Sequence, residues 1–117
     1  MIIAYGTLMT GECSHGLCRN AVDIRPCTVH GTLYDTGWGF PAFVPGETGV
    51  VQAELVEIPA ADWPDMDRLE GYPVLYGRQI VSATPADGGT VDAWVYVIND
   101  LPKQAKVIPG GDWKKRK

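Results

Sequence analysis

The chain has 117 residues, 45% hydrophobic and 21% charged, the usage of one globular domain with a modest core, which excludes a disordered chain. Its net charge is −4 and its only block of like charge is the terminal Lys114-Lys115-Arg116-Lys117, which excludes the basic face of a nucleic-acid binder. No apolar run approaches the roughly 20 residues of a spanning helix, and the first residues lack the basic start and cleavage site of a secretory signal. A cytoplasmic protein with no membrane or nucleic-acid partner is therefore expected, with one domain over residues 1–113 and a solvated basic tail over 114–117.

Short apolar runs separated by Gly and Pro predict a largely β protein with little helix. Met1 to Tyr5 reads as a first strand that stops at Gly6. Ser14 to Val22 reads as a short helix with Ser14 as its N-cap, weakened by Gly16. Thr28 to Tyr34 is strand-like, with Val29 and Leu33 on one face. A turn-rich stretch then runs from Asp35 to Gly46. Val51, Ala53 and Leu55 alternate inward, and the apolar pair Val56 and Ile58 predicts a bulge or strand end there.

Pro59 to Leu69 is the clearest helix. Trp63, Met66 and Leu69 recur every third residue, Asp62 and Asp65 favour its N-terminal end, Pro64 fits its first turn, and Gly71 is a ready stop. Tyr76 to Ala83 and Val91 to Ile98 are two strands joined across Asp87-Gly88-Gly89. Tyr76, Arg78 and Ile80 share one side of the first. In the second, Val91, Ala93, Val95 and Val97 oppose Trp94 and Tyr96. The small aliphatic face suits a barrel core; the aromatic face either lines a cleft or lies on the outside. Together these elements predict an α+β fold: a small mixed, mainly antiparallel barrel with one or two flanking helices.

Three cysteines, Cys13, Cys18 and Cys27, cannot all pair within one chain, which fits a reducing compartment. With His15 and His30 they supply enough ligand types for zinc, but the spacing lacks the paired C-x2-C knuckle of common zinc modules. Free thiols, with no metal or other cofactor, are the expectation. Cys13-Ser14-His15 is too compact to form a nucleophilic triad, and no nucleophile-elbow pattern is present.

An ordered set of motifs carries a more specific signal. Tyr5-Gly6-Thr7-Leu8 follows the first strand, and Leu33-Tyr34-Asp35 lies in a middle strand. Leu69-Glu70-Gly71-Tyr72-Pro73 ends the helix, with Tyr76 and Arg78 beyond it. Ala93-Trp94-Val95-Tyr96-Val97 and Gly111-Asp112-Trp113 close the order. This set, spanning Tyr5 to Trp113, resembles the γ-glutamylcyclotransferase-like family, particularly its AIG2-like and γ-glutamylamine cyclotransferase branch. The resemblance implies a small barrel with a cavity at one end and release of 5-oxoproline from small γ-glutamyl amides. It places the catalytic glutamate on Glu70 and the substrate-binding loop on Tyr5, Gly6, Thr7 and Leu8. Thr7 stands where many members have Ser, and it keeps the hydroxyl.

The residues can be read for the same chemistry directly. An α-amine that attacks its own side-chain carbonyl must lose a proton, and the departing amine must gain one. One carboxylate alternating between base and acid serves both. Glu70, at the negative end of a helix among Leu69, Tyr72 and Leu75, is placed for a raised pKa unless Arg78 pairs with it. Gly6 permits close backbone approach, and the N–H groups around it either bind an anion or simply end a strand. Tyr76, Arg78 and Tyr96 are expected around the same cavity as substrate-positioning residues, with Trp38, Phe40 or Trp113 at its far end. The alternative is a non-catalytic member of the same fold that binds a small ligand or a protein.

Overall fold

A computed structural model describes residues 1–6, 9 and 21–115. Among these residues the strands are β1 (Ile2–Ala4), β2 (Asp23–Asp35), β3 (Pro41–Glu57), β4 (Tyr76–Pro85), β5 (Val91–Ile98) and the short β6 (Lys106–Val107), with one α-helix, α1 (Trp63–Glu70). The sheet runs β3-β1-β5-β4-β2, and β2 pairs back onto β3 to close a five-stranded ring; β6 joins β2 outside it. The β1–β5 pairing, Ile2 opposite Trp94, is parallel, and the other pairings are antiparallel. This is the mixed, mainly antiparallel barrel expected from the strand pattern. Among the described residues no helix is long and apolar enough to cross a membrane.

Closure removes the unpaired edges of the five ring strands and leaves a narrow interior for side chains to fill. The inward positions are those the alternation marks: Val29 and Leu33 of β2, Val51, Ala53 and Leu55 of β3, and Ala93 and Val95 of β5. Ile3, Phe43 and Trp113 complete this core. Trp113, only 1% exposed, belongs to this interior rather than to the far end of a substrate cavity.

Two segments depart from the sequence expectation. The turn after β2 spans only 36–40, because Pro41 to Pro45 already pair with Asp35 to Gly31. The register then jumps, so that Val50 lies opposite His30 and residues 46–49 loop out. Both prolines sit where a missing N–H is tolerated, Pro41 as first residue of the strand and Pro45 at the register shift. The second departure is at Leu55 and Val56, both buried although adjacent. The strand does not slip phase there: Leu55 faces the barrel interior, and Val56 faces a second core with Ile58 and the helical Met66. The strand ends at Glu57.

The helix begins later than its apolar spacing predicts, since residues 60–62 form a 3-10 turn before it. Pro64 lies in the first turn, as it must. Met66 is fully buried, whereas Leu69 remains 42% exposed and lies outside the buried face. Gly71 ends the helix in the left-handed conformation (φ 65°, ψ 31°). Its N–H donates to the Arg68 carbonyl at 3.2 Å and the Tyr72 N–H to the Asp67 carbonyl at 2.9 Å, which satisfies carbonyls that a helix end leaves open. A Cβ at Gly71 would stand 3.0 Å from Cβ of Leu75, so a side chain there would crowd Leu75 as well as strain the left-handed backbone. The expected helix from Ser14 lies outside the described residues except for Ala21 and Val22, which are not helical.

Candidate active site

A pocket opens where the end of β1, the start of β3 and the C-terminus of α1 meet. Tyr5 and Gly6 come from beyond β1, Pro41 from β3 with Phe40 just before it, Glu70 from the last helical turn, and Tyr76 and Tyr96 from β4 and β5. The open space is about 30 Å³, roughly the room of one water. A larger hollow of about 520 Å³, bordered by Asp35, Gln104, Lys106 and Lys115, does not include Glu70. The smaller space is the chemical candidate, because four titratable side chains converge on it.

Gly6 is required here by a close approach. A Cβ at this position would come within 2.7 Å of Cδ of Pro41, and closer still to Cγ. The bare backbone therefore lets the end of β1 lie against the start of β3, which shapes one pocket wall. The tyrosine hydroxyls have fixed partners. Tyr5 donates to the Tyr96 carbonyl at 2.7 Å, Tyr76 to the Pro41 carbonyl at 2.7 Å, and Tyr96 to Asp67 Oδ1 at 2.6 Å. Each hydroxyl proton is thus committed to a protein acceptor, and burial raises the pKa of each above its ordinary value. The nearby Glu70 charge pushes all three in the same direction, as do Tyr76 on Tyr5 and Asp67 on Tyr96.

Glu70 behaves differently. Burial lifts its carboxyl from the ordinary 4.5 to about 7. Among the described residues it has no hydrogen-bond or ion-pair partner that would hold it ionised. Its place in the last turn, near the negative end of the helix, acts in the same direction.

Arg78 does not line the pocket with Tyr76 and Tyr96, as expected from the strand face they share. It lies two residues beyond Tyr76, roughly 6.6 Å along the strand, and its guanidinium turns to another set of partners. Its Nε stands 3.2 Å from Asp67 Oδ1, an ion pair without hydrogen-bond alignment. The guanidinium also lies 4.4 Å from the Tyr72 ring, 5.0 Å from Trp63 and 5.3 Å from Trp94. Arg78 therefore pairs with Asp67 and not with Glu70. Trp94, on the same strand face as Tyr96, serves this cluster and not the pocket.

Phe40 lines the pocket and touches both the Tyr76 ring and the Trp38 ring, while Trp38 itself is 55% exposed. Thr7 and Leu8 lie outside the described residues, as do Cys13, His15 and Cys18. Of the remaining zinc candidates, Cys27 is buried in the barrel and His30 is exposed on the opposite face of β2, so the two do not converge. The Cys27 thiol is pushed up to about 11, first by burial and then by Glu54, with Arg25 opposing. Among the described residues no group of three metal-ligating side chains is present.

Asp67 is the residue that motif reading passed over. Its signal was available, since it lies three positions before Glu70 on the predicted helix and so near the same face. Nothing in the sequence told its partner apart from that of Asp65, which pairs instead with Arg68 at 2.9 Å on the surface.

Comparison with known proteins places this arrangement. A model of the family described as "Gamma-glutamyl cyclotransferase, AIG2-like" matches residues 2–115. A protein of Halalkalibacterium halodurans named "Putative gamma-glutamylcyclotransferase BH1612" is 40% identical over 103 residues, covering 82% of this chain and 86% of its own. The protein named "Gamma-L-glutamyl-butirosin B gamma-glutamyl cyclotransferase" from Niallia circulans is 32% identical over 105 residues, covering 84% of this chain and 66% of its own. Among solved structures, a mouse AIG2-like protein superposes with a TM-score of 0.73 at 21% identity, over 99% of this chain and 82% of that one. At that identity the likeness speaks for the fold alone.

Proposed function

The chain belongs to the gamma-glutamyl cyclotransferase, AIG2-like family, and from that premise we propose that it releases 5-oxoproline and a free amine from a small γ-glutamyl amide, with Glu70 carrying the protons. The observation that carries this reading is the Glu70 carboxyl, the one carboxyl lining the pocket among the described residues, desolvated and pushed up to about 7 beside three tyrosines whose protons are committed elsewhere.

The chemistry needs one group that is a base at the start and an acid at the end. The substrate's α-ammonium gives a proton to the Glu70 carboxylate, and the freed nitrogen attacks the γ-carbonyl carbon. A C–N bond forms, closing a five-membered ring, and the carbonyl electrons move onto oxygen. When the carbonyl reforms, the old C–N bond breaks and the departing nitrogen takes a proton from the Glu70 carboxyl. Glu70, having given up the first proton, takes the second from the ring nitrogen and passes it to the freed amine, so the α-ammonium ends as a lactam N–H and the leaving group as an ammonium. No water or second substrate is consumed. A carboxyl with a pKa near the working pH is suited to both directions of transfer.

Substrate selection has a physical handle as well. The space bounded by the described lining residues is small, about 30 Å³, and is bordered by Phe40, which leans on the exposed Trp38. The Tyr5-Gly6-Thr7-Leu8 run is proposed to bind the substrate and Arg78 to act from behind the wall, through Asp67.

The test is to incubate the protein with a panel of γ-glutamyl amines and quantify 5-oxoproline by mass spectrometry, with Glu70→Gln in parallel. Release by the parent and near-complete loss in the variant supports the reading. A parent inactive on every member of the panel favours the non-catalytic binding protein instead.

A further inference from the structure

We infer that Asp67 is a positioning residue of this site, clamping Tyr96 of β5 to the helical turn that carries Glu70. The inference rests on the reading of the pocket as the cyclising site.

Asp67 Oδ1 accepts the Tyr96 hydroxyl proton at 2.6 Å and faces Arg78 Nε at 3.2 Å. A hydrogen bond to a charged acceptor is stronger than one between neutral groups. The cation is itself held by the Trp63, Tyr72 and Trp94 rings, so Asp67 is braced from the far side. Tyr96 is gripped twice. Its hydroxyl is tied to α1 through Asp67, and its main-chain carbonyl accepts from Tyr5 at the end of β1. Its ring packs against Trp63, centroids 6.4 Å apart, at the start of the same helix.

Asp67 and Glu70 are three residues apart on α1, where side chains lie on neighbouring parts of one face. The Asp67–Tyr96 bond therefore fixes the last turn of the helix against β5 one turn from the reacting carboxyl. Two of the remaining pocket residues, Tyr5 and Tyr96, are joined to the same chain of contacts. Glu70 has no bond of its own among the described residues, so its place is set by the turn that carries it. Cyclisation demands alignment of an amine, a carbonyl and a carboxyl, and displacements near 1 Å are costly for such reactions.

The test compares Asp67→Asn, Tyr96→Phe and the double variant with the parent, using Asp65→Asn as the control. Asp65 also pairs with an arginine but lies on the exposed side of the helix. Asp67→Asn and Tyr96→Phe should each lower kcat about 10-fold with a smaller change in KM, and the double variant should fall no more than about 2-fold below the worse single, because coupled residues do not add. A merely structural role would instead lower the unfolding temperature and leave the kcat of the folded enzyme unchanged. Multiplicative losses, or an undiminished kcat in Asp67→Asn, would overturn the inference.

A second readout does not depend on turnover. With carbon-13 at tyrosine Cζ and glutamate Cδ, Asp67→Asn should shift the Tyr96 and Glu70 resonances at fixed pH while Asp65→Asn leaves both in place. If the parent releases no 5-oxoproline, the cyclisation reading fails, and unmoved Tyr96 and Glu70 signals in Asp67→Asn overturn the positioning role separately. Should Asp67→Asn not fold, Tyr96→Phe decides: an unmoved Glu70 signal there contradicts the clamp.

Discussion

Two carboxylates stand three residues apart at the end of one short helix, and their surroundings are opposite. Asp67 is not among the pocket's lining residues and meets an arginine stacked among three aromatic rings and a tyrosine hydroxyl that donates to it. Glu70 lines the pocket with Tyr5, Tyr76 and Tyr96 and has no charged partner among the described residues. Both neighbourhoods are rich in aromatic residues. What separates them is where the tyrosine hydroxyls and the Arg78 guanidinium point. In the first, these groups converge on the carboxylate; in the second, they turn away from it. The result is one carboxylate held by its partners and one carboxyl lifted by burial to about 7.

The largest way to break this contrast is to remove the exchangeable proton. Glu70→Gln keeps the shape and the hydrogen-bonding capacity but cannot act as a base, so 5-oxoproline release should fall roughly 100-fold or more. A variant that keeps near-parental turnover removes Glu70 from the mechanism. The same substitution should affect stability with a defined sign. Below about 4.5, the ordinary value, the carboxyl is neutral in both folded and unfolded states, and its raised pKa costs nothing. Between there and about 7 the unfolded chain ionises first, so the folded protein loses stability as pH rises, with the full cost above about 7. Glu70→Gln should therefore be more stable than the parent above pH 7, by about 3 kcal/mol at most, with the difference vanishing towards pH 4. Urea titrations at pH 5 and pH 8 read this directly; a variant less stable at pH 8 contradicts the desolvated carboxyl.

A smaller effect sharpens the other side. Arg78→Lys keeps a cation beside Asp67 but loses the planar stacking on three rings, and should cost roughly 1–2 kcal/mol of stability. Thermal or urea unfolding checks it. An unchanged stability would mean that the rings, and not the guanidinium among them, hold that cluster together.

Much of this contrast was legible in the sequence, and the part that was not has a physical cause. The alternation of Val51, Ala53, Leu55 and of Ala93, Val95 identified the barrel interior, because a narrow closed sheet demands small aliphatic residues at every second position. Gly71 after an apolar-spaced helix located Glu70 at its end. The apolar residues after Leu55 read as a bulge or strand end; the strand does end at Glu57, but Val56 is buried because both faces of the strand are covered, which local periodicity does not reveal. Pro41 to Pro45 read as turn because proline normally breaks a sheet, whereas here the partner register provides positions that need no donor. Arg78 and Tyr76 share a strand face, yet long side chains choose partners by reach and charge. Only the fold brings Asp67 to the arginine first. For the same reason Trp113 read as a pocket residue and is a barrel plug.

The pH dependence of kcat/KM for 5-oxoproline release tests the central claim most directly. If a desolvated Glu70 is the base, the parent's rate should fall on the acid side with a midpoint near the carboxyl's value of about 7, and the slow residual reaction of Glu70→Gln should lack that limb. An acid limb at the ordinary carboxylate value, or one that persists unchanged in Glu70→Gln, would contradict the account.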